Sequence, residues 1–361
     1  MDMVVQIGPQ HLALAEPERI RVHTEGEKVV GADVAMGYNH RGIEKLAERK
    51  TYEQCILLVE RVCGICSMSH PVAFTQAVED IAGVDIPERA NYSRMIIAEF
   101  ERIHSHMLWA GIAAELIGIE TLFMYIWRDR EFVLDQMEIL TGNRNHYAWN
   151  TIGGCRKDIT QEYIPPLLTA LEVIERRTEF YIDSILRNRT IRARLIGTGI
   201  LSKEDAQRFC TVGPTARASG YAVDVRKDDP HLAYDTVEFE EIVLDEGDNL
   251  ARAKVRLLEI LESVKIIRQA IDALKELPEG DIAVAVPEIP PGESVGRYEA
   301  PRGEVFHYVK SNGTFYPERL KIRAPTYANM QAVPTMLMGN TLADVPITLA
   351  AIDPCFCCTD R

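Results

Sequence analysis

The chain has 361 residues, 47% of them apolar and 26% charged, which is the composition of an ordinary globular protein with room for a sizeable core. Its formal net charge of −14 argues against nucleic acid as a partner. The opening MDMVVQIGPQ has no basic stretch ahead of an apolar run and does not read as a signal peptide, and no apolar segment approaches the roughly 18 residues that span a bilayer.

In chain order, strands come first. ERIRVHTEGEKVVGADVAM alternates apolar and polar residues around a Glu-Gly turn and predicts a β-hairpin or meander. From Pro87 to about residue 120 the apolar positions Ile96, Phe100, Ile103 and Met107 recur at helical spacing. PPLLTALEVIERRTEFYIDSILRN opens on prolines suited to a helix start and continues as an amphipathic helix. A further long helix is predicted from an Asp248 N-cap to about Leu277. Prolines and glycines in PEGDIAVAVPEIPPGESVG break that pattern, and EVFHYVKSNG reads as a strand. The expected class is α+β, a long-helix core with small β elements at the N- and C-terminal ends. The expected division is a β-rich segment over 1–60, a helical core over 61–280 and a C-terminal segment over 281–361, working as one unit.

The chain holds eight cysteines, too sparse for a secreted disulfide scaffold. Four of them form two Cys-x-x-Cys pairs, Cys63/Cys66 in RVCGICSMSH and Cys355/Cys358 in DPCFCCTDR. Four thiolates suit zinc, an iron–sulfur cluster or a late transition metal such as nickel. Structural zinc pairs usually sit roughly 15–20 residues apart, whereas nearly the whole chain lies between these two. On spacing alone, structural zinc, a redox dithiol and a catalytic metal centre all stand.

The flanking residues carry more. Arg-x-Cys-Gly-x-Cys-x-x-x-His and Asp-Pro-Cys-x-x-Cys-x-x-Arg, at opposite ends of one chain, resemble the two metal-binding signatures of NiFe hydrogenase large subunits. Arg361, where uptake-type enzymes have a histidine, resembles the energy-converting, membrane-associated branch of that family, the CO-induced type included. GPQH, NHRGIEKLAERKTYEQ, TGNRNH and DVRKDDPHLAYDTVEFEE are similar to the large quinone-site subunit of respiratory complex I, a relative of that branch. A complex I subunit without a metal centre is the competing reading, and a structural zinc protein the third.

The resemblance implies a NiFe hydrogenase fold and a reversible hydrogenase activity. Cys63 and Cys355 would be terminal nickel ligands, and Cys66 and Cys358 would bridge nickel and iron. The iron would carry cyanide and carbonyl ligands made by maturation enzymes. Cys355 would accept the proton of H2. His70 would donate to a bridging sulfur, and Arg302 in the Pro301-Arg302-Gly303 segment would lie over the open face of the metals. Asp353 would position Arg302 or the C-terminal loop. Thr326 would donate to a cyanide. Glu16 would be the proton gate, with Glu18 the alternative register and otherwise a solvated residue at a strand entrance. Glu44 matches an accessory magnesium or iron ligand of uptake enzymes, a site that Arg361 puts in question.

Two departures stand out. His104-Ser105-His106 replaces a His-Asp-His of uptake enzymes, and its histidines are expected in helix packing and surface contacts. Cys357 is an additional thiol, expected to be a neighbour and not a fifth ligand, while Cys55, Cys155 and Cys210 are expected to be buried small apolar residues. Many relatives carry a C-terminal extension that is removed once nickel is in place. An end three residues after Cys358 fits a processed form or a chain made without one. The implied partners are a small hydrogenase subunit with a 4Fe-4S cluster, further iron–sulfur subunits, integral membrane subunits, and ferredoxin or a carbon monoxide dehydrogenase relay. The implied place is the cytoplasmic face of the cell membrane, held there by those subunits.

Overall fold

Three antiparallel strands open the computed structural model, which describes residues 2–12, 14 and 16–361. They are β1 (Asp2–Ile7), β2 (Arg19–Glu25) and β3 (Lys28–Ala35), in the order β1-β2-β3. Alternation in RIRVHTE puts Ile20, Val22 and Thr24 on the buried face, as period-2 patterning requires. The turn at Gly26 takes a φ of 63°.

Two short helices, α1 (Ile43–Ala47) and α2 (Tyr52–Glu60), lead to the first cysteine pair. Thr51 and Gln54 form a reciprocal capping box at the start of α2. The pair lies in the turn between α2 and α3 (Ser69–Ala82). The helical core follows: α4 (Glu88–Ile117), α5 (Glu120–Thr141), α6 (Ile164–Arg187) and α7 (Asn249–Glu276). α4 packs on α5 and α7, and α6 closes the ring against the same two. Asp248 caps α7 by accepting from the Ala251 amide, as its sequence position predicts.

α4 is buried almost all round, so its apolar stripe is only part of its contact surface. Arg94, Glu99, Glu101, Arg102, His104, Ser105 and His106 are all buried along it. Most of their partners come from neighbouring elements: Arg94 bonds Glu79, His106 bonds Glu259, and Glu99 accepts from Arg226 and Tyr234 as well as from Arg102 one turn along α4. α5 is a helix that the sequence pattern does not announce. Met124, Tyr125, Trp127, Phe132 and Ile139 are exposed on it, which blurs a single apolar face.

A second three-stranded antiparallel sheet, β4 (Gly292–Ala300), β5 (Gly303–Ser311) and β6 (Pro317–Arg323), packs against α3. The chain then returns through α8 (Pro325–Asn329) and α9 (Val345–Ala351) to α10 (Phe356–Asp360), which carries the last cysteines. The class is α+β with a long-helix core and small terminal sheets. No helix among the described residues is long and apolar enough to cross a membrane.

Candidate metal centre

The first cysteine pair is built by backbone geometry. The amides of Ile65 and Cys66 point at the Cys63 sulfur from 3.3 and 3.4 Å, and the Ser67 hydroxyl donates to the Cys63 carbonyl. Glu101 of α4 accepts from the Met68 and Ser69 amides and the Ser69 hydroxyl, holding the turn after Cys66 onto α4. Burial pushes the Glu101 carboxyl up to about 8.

The second pair is brought to the first by the loop before α1. Arg41 donates to the carbonyls of Arg61 and Val62, just before Cys63, and to the carbonyl of Cys357, each at 2.8 Å. The Asp360 carboxylate accepts from the Gly37 and Asn39 amides, and His40 meets the Asp360 carbonyl at 2.7 Å. One arginine fork thus staples both motifs.

At the junction the Cys355 sulfur lies 2.9 Å from Cys358, 3.3 Å from Cys357 and 3.5 Å from Cys63. Thiolates that share one metal at about 2.3 Å each sit roughly 3–4 Å apart. The sulfurs of Cys63, Cys355, Cys357 and Cys358 all fall within 4.8 Å of one another. Cys66 lies beside them under Arg302, whose Nη1 is 3.4 Å from its sulfur. Cys357 therefore stands inside the cluster, although its side chain is only partly buried.

Hydrogen bonds from the neighbouring sulfurs hold Cys63 well below its usual value, while Cys66 and Cys355, bonded to other sulfurs, are pushed up. Burial is the largest cause of the same upward push on Cys358. A bound cation would take all four as thiolates and release their protons. The donor set of buried soft sulfurs fits a late transition metal better than magnesium or calcium.

Arg302 sits at the tip of the β4–β5 hairpin, where Ala300 pairs with Gly303 and the loop is Pro301-Arg302 alone. The tip is fixed by a close backbone approach. A Cβ on Gly213, whose φ is +66°, would lie 2.5 Å from the Arg302 carbonyl oxygen. The guanidinium is buried, bonded to the Asp353 carbonyl at 2.8 Å and carboxylate at 2.7 Å, and 3.3 Å from the Ser105 hydroxyl. Burial alone would lower its pKa; Asp353 and the cluster sulfurs keep it a permanent cation. Asp353 itself takes a φ of 54° to turn its carbonyl toward Arg302.

The other expected residues fall as follows. His70 Nε2 is 3.4 Å from the Cys358 sulfur. The Thr326 hydroxyl accepts from the Cys355 amide at 3.0 Å, so it anchors the motif backbone. Glu16 accepts from the amides of Phe356 and Cys357 beside Cys355. Glu18 is 0% exposed with neither carboxylate oxygen partnered, contrary to a solvated strand entrance. Burial first, then the charges of Glu16 and Asp360, raise it to about 8. Both glutamates line a cavity of about 510 Å3 that reaches Arg302, Asp353 and Cys355 between walls that include Leu14, Trp109, Phe123 and Trp127.

Glu44 does not fit an accessory divalent cation. Its Oε1 already accepts from the Ile322 amide at 2.9 Å and Arg361 Nε at 2.8 Å, and Lys321 lies 3.2 Å from Oε2. Burial works against its charge, but these bonds carry the carboxyl below its usual value. His104 and His106 are wholly buried and make no surface contacts, because Arg130, Tyr147 and Glu259 supply partners inside. Cys55 and Cys155 are buried as expected, but Cys210 is exposed at a φ of 51° in a turn after Arg208. Arg41, Glu101 and His307 contribute to the site without being anticipated. Arg41 lies within NHRGIEK, but only the fold shows what its fork reaches.

A buried thiol cluster thus joins both ends of a helical chain beside a buried arginine. The comparisons place it. Residues 117–289 and 281–361 match the family described as respiratory-chain NADH dehydrogenase, 49 Kd subunit, and residues 41–110 match nickel-dependent hydrogenase. The chain is 42% identical to the carbon monoxide-induced hydrogenase of Rhodospirillum rubrum over 99% of each chain. It is 39% identical to the membrane-bound hydrogenase subunit alpha of Pyrococcus furiosus, over 99% of this chain and 87% of that one. A subunit in the structure of the membrane-bound sulfane sulfur reductase, an archaeal respiratory membrane complex, superposes with a TM-score of 0.94 at 33% identity, covering 100% of this chain and 98% of that one. The chain belongs to the family that unites the energy-converting hydrogenase large subunits with the 49 Kd subunit of respiratory NADH dehydrogenase.

Proposed function

We propose that this chain is the catalytic subunit of an energy-converting NiFe hydrogenase that forms and splits H2 reversibly. The observation that carries the reading is the convergence of Cys63, Cys66, Cys355 and Cys358 from opposite ends of the chain beside a buried, permanently charged Arg302. Cys63 and Cys355 would hold nickel, and Cys66 and Cys358 would be shared with an iron bearing cyanide and carbonyl ligands. When bound, that metal pair supplies the two-electron chemistry of H2.

The chain's own residues do the rest. The Cys355 sulfur accepts a proton in the splitting direction and returns it in the forming direction. Glu16, hydrogen-bonded to the turn that follows Cys355, passes that proton on, and Glu18 lines the same cavity. A glutamate whose burial holds it near neutral pH can both take and release a proton there. Arg302 fixes a positive charge above the sulfurs, Asp353 fixes Arg302, and His70 orients toward Cys358. Thr326 and Arg41 hold the two motif backbones in place. The apolar side chains of the cavity wall, Leu14, Trp109, Phe123 and Trp127 among them, suit the passage of a small apolar gas.

The three sequence segments act as one catalytic unit, since the first brings Glu16 and Arg41, the second Cys63 and Cys66, and the third Arg302, Cys355 and Cys358. Electrons leave through a small subunit with a 4Fe-4S cluster and further iron–sulfur subunits to ferredoxin or a carbon monoxide dehydrogenase relay. Integral membrane subunits hold the chain at the cytoplasmic face of the membrane. The match of residues 117–361 to the 49 Kd family keeps a second reading in play, a quinone-site subunit without metal. H/D exchange between D2 and water by the purified complex separates them. The hydrogenase reading predicts exchange that Cys355→Ser abolishes; a complex that performs no exchange while turning over quinone would sink it.

A further inference from the structure

Cys358 faces one histidine, and that histidine faces another. His70 stands in the first turn of α3 with its Nε2 toward the Cys358 sulfur, and its Nδ1 is 3.0 Å from Nε2 of His307. The two ring centres are 5.2 Å apart and the rings are tilted by 52°. His307 comes from the middle of β5, on the strand face that it shares with buried Val305 and Val309. α3 packs directly on that strand, and the Phe74 ring meets His307 edge-on. An imidazole here interrupts an apolar inner face. A buried polar group is costly unless it is partnered. Among the described residues, His307 has one hydrogen-bond partner, His70, and its Nδ1 has none.

The direction of the hydrogen bonds follows from the sulfur. A metal-bound Cys358 is a thiolate, an acceptor only. His70 therefore carries its proton on Nε2. A neutral His70 then has a bare Nδ1, so the proton between the rings belongs to His307 Nε2. His307 Nδ1 is left as a lone pair, and it is the ring nitrogen that meets no partner. The opposite arrangement buries an N–H on His307 Nδ1 without an acceptor and turns a lone pair of His70 on the thiolate. Only the first arrangement leaves no buried proton orphaned.

We propose that His307 is a positioning residue of the metal centre, whose Nε2–H locks His70 in the tautomer that donates to Cys358. This rests on Cys358 being a metal-bound thiolate. The test is infrared spectroscopy and nickel analysis on the purified complex with two substitutions. His307→Leu removes the donor and keeps much of the volume. His307→Gln keeps an N–H of similar reach. In His307→Leu nickel stays, the carbonyl and cyanide bands move to lower frequency because the sulfur loses an oriented donor, and turnover falls roughly 10-fold. His307→Gln restores the bands. His70→Ala moves them the same way, and the double variant moves them no further. Bands that shift with His70→Ala but not with His307→Leu overturn the inference, as do shifts that add. If His307→Leu fails to assemble, His307→Gln decides: bands at their original place support the inference, and displaced bands or lost nickel overturn it. An unsubstituted complex without such bands overturns the metal reading itself, a different outcome from bands that ignore His307.

Discussion

Cys355 is where separate constraints meet: its amide is anchored by Thr326, the turn after it by Glu16, and its sulfur by three others. Serine is a harder ligand than thiolate. Serine at Cys63, Cys66, Cys355 or Cys358 is predicted to remove nickel from the purified complex, and serine at Cys55, Cys155 or Cys210 to leave it in place. Full nickel in Cys355→Ser would contradict the ligand assignment. Arg302→Lys keeps a charge but loses the fork that spans Asp353, Ser105 and Cys66, so both metals are expected to remain while most H2 turnover is lost. Unchanged turnover would remove Arg302 from the site. Glu18 offers a pH test. Its folded-state value of about 8 exceeds the ordinary 4.5, so the folded protein keeps a proton that the unfolded chain releases between those values. Stability tied to Glu18 therefore declines as pH rises from about 4.5 to 8. Glu18→Gln should raise the Tm at pH 8 and leave it unchanged below pH 4.5. Equal Tm values at pH 8 would show that Glu18 is not held protonated. In exchange assays, Glu16→Gln should keep the metals and slow H/D exchange strongly. Loss of exchange in Glu18→Gln alone would move the gate to that residue.

At the scale of elements, local pattern announced some features and tertiary contact hid others. The hairpin of β2 and β3, and the helices α4, α6 and α7, carry their own periodicity and caps, so their bounds were readable to within a few residues. α5 was not, because aromatic and aliphatic side chains lie exposed on it between charged ones. The cysteine pairs and their flanks were legible as motifs, whereas Arg41, Glu101 and His307 act through partners 316, 32 and 237 positions away in sequence. Glu18 follows Pro17, a setting that reads as solvated in sequence, yet the fold buries it wholly and brings the charge of Asp360 near. Two element-scale changes follow. Arg41→Ala removes the fork that joins the carbonyls of both motifs, which should weaken nickel retention with every cysteine intact while costing only about 1 kcal/mol of stability, since those carbonyls can turn to water. Unaltered nickel content would show that the motifs meet without it. Gly213→Ala places a Cβ against the Arg302 hairpin at positive φ, and should destabilise by more than about 1 kcal/mol in denaturant unfolding. A neutral change would mean that the hairpin tip can shift freely.

Across the whole molecule, the centre brings residue 63 to residue 355, so the thiols meet only when the two ends of the chain come together. Metal bound only by the folded state stabilises it by linkage, and the loaded complex should unfold at a higher temperature than one made without nickel. The scaffold supports more than one chemistry, as its relatives show by being hydrogenases in some complexes and a sulfane sulfur reductase in another. What distinguishes this chain is therefore the content of the thiol cluster. Nickel and iron analysis of the purified complex, with infrared spectroscopy on the same sample, tests that content most directly. One nickel with iron is expected, together with sharp cyanide and carbonyl bands that vanish in Cys358→Ser. Zinc alone, or no metal and no bands, would contradict this expectation.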